Sequence, residues 1–146
     1  ALPIYWKDEA QVVRASMTGD GHLTVTKFVG LPCEIGITLS AEDGDLTVAT
    51  LATFRMPYAM TLTEVRASVT TAGTDATIII DINDGGSTIM TTNKLDILTT
   101  ATIDDGTATL TDTALADKAI ITVDVDQVGS TLAGAGGKIW LIGTRA

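Results

Sequence analysis

A chain of 146 residues is long enough for one domain, or one domain with an ordered extension, and by size scaling it buries roughly 70% of its unfolded surface. Its 18 acidic and 9 basic residues give a formal charge of -9, which repels phosphate backbones and anionic membranes, and its single cysteine, Cys33, excludes an internal disulfide. An apolar content of 45% excludes a wholly disordered chain, and no run approaches the roughly 18 apolar residues that span a membrane.

Threonine accounts for 26 residues, set among valine, isoleucine and glycine, while Glu, Gln, Lys and Arg are scarce. β-branched side chains suit a pleated strand and lose rotamer freedom in a helix. The chain therefore reads as all-β. Its first residues contain no basic region followed by a long apolar run, so no signal peptide is expected. Ile4, Tyr5 and Trp6 make an apolar start, Gly19-Asp20-Gly21 marks a turn, and residues 23–29 and 34–39 are strand candidates separated by Gly30-Leu31-Pro32. The acidic group Glu42-Asp43-Gly44-Asp45 divides the chain. Residues 1–45 are expected to be an N-terminal extension with short strands, and residues 46–146 a β-sandwich domain. The acidic group lacks the spaced acceptors and closing glutamate of a helical calcium loop, which favours a solvated turn.

Beyond it, strands are expected over 46–54, 62–69, 76–82, 87–91, 94–98, 107–110, 120–126 and 138–144. Residues 62–69 alternate, with Val65, Ala67 and Val69 on one face and Glu64, Arg66 and Ser68 on the other. Residues 83–86 (NDGG) are a strong hairpin signal. Residues 114–117 predict one short helical turn. In 120–126, Ile121, Val123 and Val125 share one face, and Thr122, Asp124 and Asp126 the other. Trp140, flanked by apolar residues, is expected in the core. Eight such strands suit two antiparallel sheets, most simply a jelly-roll-like sandwich. Thin Thr- and Ala-rich layers and open sheet edges favour a homo-oligomer, because assembly adds buried apolar area and covers edges.

The sequence assembles no catalytic constellation. His22, the only histidine, follows a glycine-rich turn with no second ligand or nucleophile nearby, and Cys33 has no activating histidine and reads as a small buried hydrophobe. Asp124 and Asp126 stand about 6–7 Å apart on one strand face. That spacing admits inverting hydrolysis or cation binding, but a wet face or intersubunit hydrogen bonding is favoured, since no sugar cleft or aromatic platform is evident beside them. Asp81 and Asp84 flank a turn and take the same reading. Residues 134–137 (GAGG) lack the Gly-Lys-Ser/Thr close of a phosphate loop and read as a mobile or tight turn. No catalytic residue, cofactor or metal site is expected.

Six segments carry a resemblance: residues 52–67 (ATFRMPYAMTLTEVRA), 80–86 (IDINDGG), 115–117 (LAD), 121–130 (ITVDVDQVGS), 133–136 (AGAG) and 142–145 (IGTR). Together they resemble a β module of structural proteins of tailed bacteriophages, shared by capsid decoration, head-fibre and tail-fibre proteins. The resemblance implies a non-enzymatic virion protein. The short chain suits a cement protein that binds the major capsid protein at the capsid surface, as a trimer assembled in the host cytoplasm, with no direct contact to nucleic acid or membrane. Ile4, Tyr5 and Trp6 are then the candidate capsid or intersubunit anchors. The alternative it implies is a receptor- or glycan-binding module of a head or tail fibre, using loops 83–86 and 129–137.

Overall fold

The computed structural model describes residues 30–146 in full, Gly19 and Asp20, and the backbone of three strands ahead of residue 30. Those three, β1 (Pro3–Asp8), β2 (Gln11–Met17) and β3 (Leu23–Val29), form an antiparallel sheet of their own in the order β1-β2-β3. Ile4, Tyr5 and Trp6 lie on β1, in register with Ala15, Arg14 and Val13; their side chains, like the whole of His22, lie outside the described residues. Gly30, at the end of β3, takes a left-handed conformation (φ 78°), and its N–H donates to the Arg145 carbonyl at 2.7 Å.

Nine further strands build a β-sandwich: β4 (Pro32–Thr38), β5 (Ala49–Arg55), β6 (Met60–Ser68), β7 (Ile78–Asp84), β8 (Ser87–Thr88), β9 (Leu95–Ile97), β10 (Ala114–Leu115), β11 (Ile120–Gln127) and β12 (Lys138–Arg145). All pairings are antiparallel. One sheet has the order β10-β6-β12-β4. The other runs β5-β11-β7, with β8 and β9 sharing the far edge of β7 at its opposite ends. With the two-residue β8 set aside, the sandwich strands count from first (β4) to eighth (β12). One sheet is then first-eighth-third-sixth, and the other second-seventh-fourth-fifth. Strand β4 pairs along its whole length with β12, so the sandwich reaches back past the acidic turn to residues expected in the extension.

Alternation decides what enters the core. Ile78, Ile80 and Ile82 of β7 and Ile121, Val123 and Val125 of β11 meet Leu62, Val65 and Ala67 of β6 and Ile139 and Leu141 of β12. Burying a side chain of this size contributes about 1.5–3 kcal/mol. The hairpin expected over 83–86 is present, with positive φ at both Gly85 and Gly86 between Asp84 and Ser87, which matches the twist of the flanking strands.

Three local expectations are corrected. Residues 114–117 form no helical turn: Ala114–Leu115 is the strand β10, because Leu115 is buried opposite Met60 and four residues cannot nucleate a helix. Residues 107–110 are irregular, forming only a single bridge from Leu110 to Met90, after a turn in which Gly106 has φ 73°. Strand β5 starts at Ala49, since Leu46 instead plugs the core, its N–H bonded to the Gly134 carbonyl at 2.7 Å.

Candidate functional site

Trp140 is not in the core. In β12 the flanking Ile139 and Leu141 take the inward positions and are fully buried, so the pleat sends Trp140 to the outer face of the four-stranded sheet, half-buried. Pairing sets Gly36 of β4 on one side of it and Arg66 of β6 on the other. A Cβ at Gly36 would stand 3.3 Å from the indole Nε1 and 3.5 Å from Cδ1, so that edge of the ring packs where Gly36 has no side chain. The adjacent cross-strand row is Glu34, Ile142 and Glu64. Arg66 Nε and Nη2 donate to the two Glu64 oxygens at 2.6 and 2.9 Å, a planar fork. The guanidinium holds the Glu64 carboxyl below the usual range. Both groups are exposed, so the pair adds little stability; its effect is to orient donors and acceptors beside the indole.

The far wall is made by Ile103, 67% exposed, and Asp104. Asp104 is held by backbone N–H groups: Oδ1 accepts from Ala67 at 2.8 Å and Oδ2 from Gly106 at 3.2 Å. The walls enclose an open groove of about 530 Å³. It offers an apolar plate beside fixed donors and acceptors, an arrangement suited to binding. The alternation of β12 was the signal that could have located it in the sequence.

The opposite face, on the other sheet, holds the carboxylates singled out by spacing. Asp124 and Asp126 do share a face: Asp126 is exposed, as a wet face requires, while Asp124 is half-buried, and both bond within the chain. Lys94 Nζ lies 2.6 Å from both Asp81 Oδ2 and Asp126 Oδ2. Asn83 Nδ2 donates to Asp124 Oδ2 at 2.8 Å, and the Thr88 hydroxyl donates to Asp81 Oδ1 at 2.6 Å. Asp81 is 6% exposed, which corrects its reading as a solvated turn residue. Burial opposes the Lys94 ammonium, but its bonds to Asp126 and Asp81 outweigh that and hold its pKa above the ordinary value. Lys94 thus fills the role a bound cation would have. Sequence reasoning missed it because the pairing of β9 with β7, not proximity in the chain, brings it there.

The acidic turn is solvated, with Glu42, Asp43 and Asp45 all exposed, and among the described residues only Glu42 of the three has a cation beside it. Lys138 Nζ is 2.6 Å from Glu42 Oε1, and the Thr70 hydroxyl donates to Oε2. Among the described residues no group of three or more His, Cys, Asp or Glu side chains is placed to hold a metal ion. The glycines of 129–137 are packed rather than free: a Cβ at Gly129 would meet the Leu132 carbonyl at 2.0 Å, and one at Gly136 (φ 69°) the Glu42 carbonyl at 2.7 Å. Cys33 is half-buried against the core edge, near Tyr58. Burial and the thiol push the Tyr58 hydroxyl up in pKa, against the Arg145 guanidinium stacked 4.5 Å from its ring centroid.

Asp96, like Asp124, carries a buried carboxylate oxygen with no hydrogen-bond partner among the described residues. Burial together with Asp105 raises the Asp96 pKa. A raised carboxyl pKa means the native state binds protons more readily, so stability increases as pH falls through the window above 3.8. Asp96→Asn is expected to stabilise the protein by about 1 kcal/mol at neutral pH. Urea unfolding should show that advantage shrinking in acid.

No protein-family model matches the chain, and neither does any curated protein or solved structure.

Proposed function

We propose that this protein is a non-catalytic capsid decoration, or cement, protein of a tailed bacteriophage, assembled in the host cytoplasm and bound to the major capsid protein on the head surface. The observation that carries this reading is the separate three-stranded sheet placed ahead of a two-sheet sandwich. A rigid body with its own core can decorate a surface while a distinct element engages neighbouring subunits. Ile4, Tyr5 and Trp6, all on β1, are the proposed apolar anchors. The sandwich order first-eighth-third-sixth against second-seventh-fourth-fifth supports a jelly roll, an architecture used in viral shells. Strands β4 and β5 end their sheets, and covering such edges favours a homotrimer. Many modest contacts then cross-link the shell through multivalency.

Deleting residues 1–12 removes β1 and the start of β2. Capsid occupancy, read from purified particles, is expected to fall by at least about tenfold, equivalent to about 1.4 kcal/mol per site. The thermal melt of the sandwich should be retained. Undiminished occupancy sinks the anchor.

The Trp140 groove favours a second reading, a receptor- or glycan-binding module of a head or tail fibre. Imaging of intact particles separates the two: copies distributed over the shell support cementing, and copies confined to a fibre or tail tip support attachment.

A further inference from the structure

We infer that the groove beside Trp140 is a carbohydrate-binding site that takes a pyranose ring of a neutral oligosaccharide. The inference rests on the second reading above and names the ligand class and the side chains of that site.

Three features carry it. First, the indole is a prepared plate. Gly36 beside it has no side chain, so the Nε1–Cδ1 edge packs against backbone and the half-buried ring lines the groove. An aromatic face is electron-rich, and the C–H hydrogens on one side of a pyranose carry the complementary positive charge. Second, Arg66 is the direct cross-strand partner of Trp140, about 5 Å away between strands, and is locked to Glu64. A locked guanidinium–carboxylate pair keeps free donors next to free acceptors. Vicinal hydroxyls, each both donor and acceptor, match that pattern; a purely cationic or anionic ligand matches only half of it. Third, the groove holds about 530 Å³, within the range of small-ligand sites, and Ile142 and Ile103 give it apolar surface beside the plate.

A basic peptide segment is the main competitor, because Glu34 and Asp104 add negative charge to the rim. It is disfavoured by Arg66, which stands at the plate and already occupies Glu64. A second copy of the chain would have to bury the same charged pair.

The test uses the full chain with Trp6→Phe, which leaves Trp140 as the only tryptophan. Its fluorescence is titrated with β-1,4-linked glucose and N-acetylglucosamine trimers, an α-1,4-linked glucose trimer and an α-1,6-linked mannose trimer. At least one should saturate with a dissociation constant on the order of 1 mM or lower. In isothermal calorimetry, Trp140→Ala should weaken that binding by more than about tenfold, Trp140→Phe by less, and Arg66→Gln and Glu64→Gln each by about tenfold. Asp117→Asn, which changes charge away from the groove, should leave it unaltered. Retained thermal melts exclude misfolding, because every altered groove side chain faces outward. The inference is overturned by failure of all these sugars to bind, or by sugar binding that survives Trp140→Ala. Saturation by an arginine-rich peptide in place of sugar also overturns it, as does loss of self-association as the sole effect of Trp140→Ala. Particle placement is measured separately, so the failure of the second reading and the failure of sugar binding are distinguishable.

Discussion

Alanine at Gly143 is expected to lower unfolding free energy by about 3 kcal/mol, a large effect for a single added methyl group. Gly143 lies on the inward side of β12, where the register with β6 shifts between Ile142 and Gly143. A Cβ there would stand 2.1 Å from the Thr61 carbonyl oxygen and 2.9 Å from Leu62 Cα. Both are backbone atoms of the adjacent strand, so no rotamer change relieves the overlap, and the bulge itself has to move. The φ angle at Gly143 is not in the left-handed region, so the cost is close approach alone. Gly85→Ala is the contrasting variant: its φ is 57° but nothing lies within 4 Å, and the expected cost is the conformational one, about 1 kcal/mol. Urea denaturation of the two variants separates the steric from the conformational role of glycine. Equal losses would contradict the packing argument.

Lys94→Met is expected to cost about 3 kcal/mol at neutral pH, although methionine keeps most of the apolar stem. The substitution leaves Asp81, whose side chain is only 9% exposed, and Asp126 without the ammonium they share, and Asp124 stands opposite Asp81 on the paired strand. Removing one partner of a buried pair strands the other charge away from water, and that desolvation dominates the loss. The sign of the shift sets the pH dependence. Because the folded-state pKa of Lys94 is raised, its contribution is complete below the ordinary value of 10.5 and is lost as pH climbs through the higher folded value. In the variant, acid protonates the stranded carboxylates, so the gap to wild type should narrow at low pH. The double variant with Asp81→Asn should recover part of the loss, and a full double-mutant cycle measures the coupling. A Lys94→Met protein as stable as wild type at pH 7 would remove the network from any account of stability.

Much of the fold was legible along the chain because β structure is written with a period of two. Val65, Ala67 and Val69 are buried where alternation put them, and so are Ile121, Val123 and Val125. The hairpin at Gly85 and Gly86 was legible because only a few residue types accept positive φ at both positions. The short pieces were less legible. Ala114 and Leu115 carry no intrinsic preference strong enough to choose between turn and strand, and the choice was made by Met60 across the sheet.

The site divides in the same way. Asp124 and Asp126 were identifiable as a pair, since spacing on one strand is a local property. What holds them was not: Asn83 reaches Asp124 from the neighbouring strand, and Lys94 reaches Asp126 through a pairing between distant segments. Trp140 shows the limit most clearly. Its apolar neighbours suggested burial, yet those neighbours occupied the core and turned it outward onto Gly36. Sequence by itself determined an acidic all-β chain and the in-out pattern of its longer strands, because composition and alternation act over a few adjacent residues. Only the tertiary structure decided which strands became neighbours, and with that the Trp140 groove and the Lys94 network, because both are built across strands that meet only after the sheets have formed.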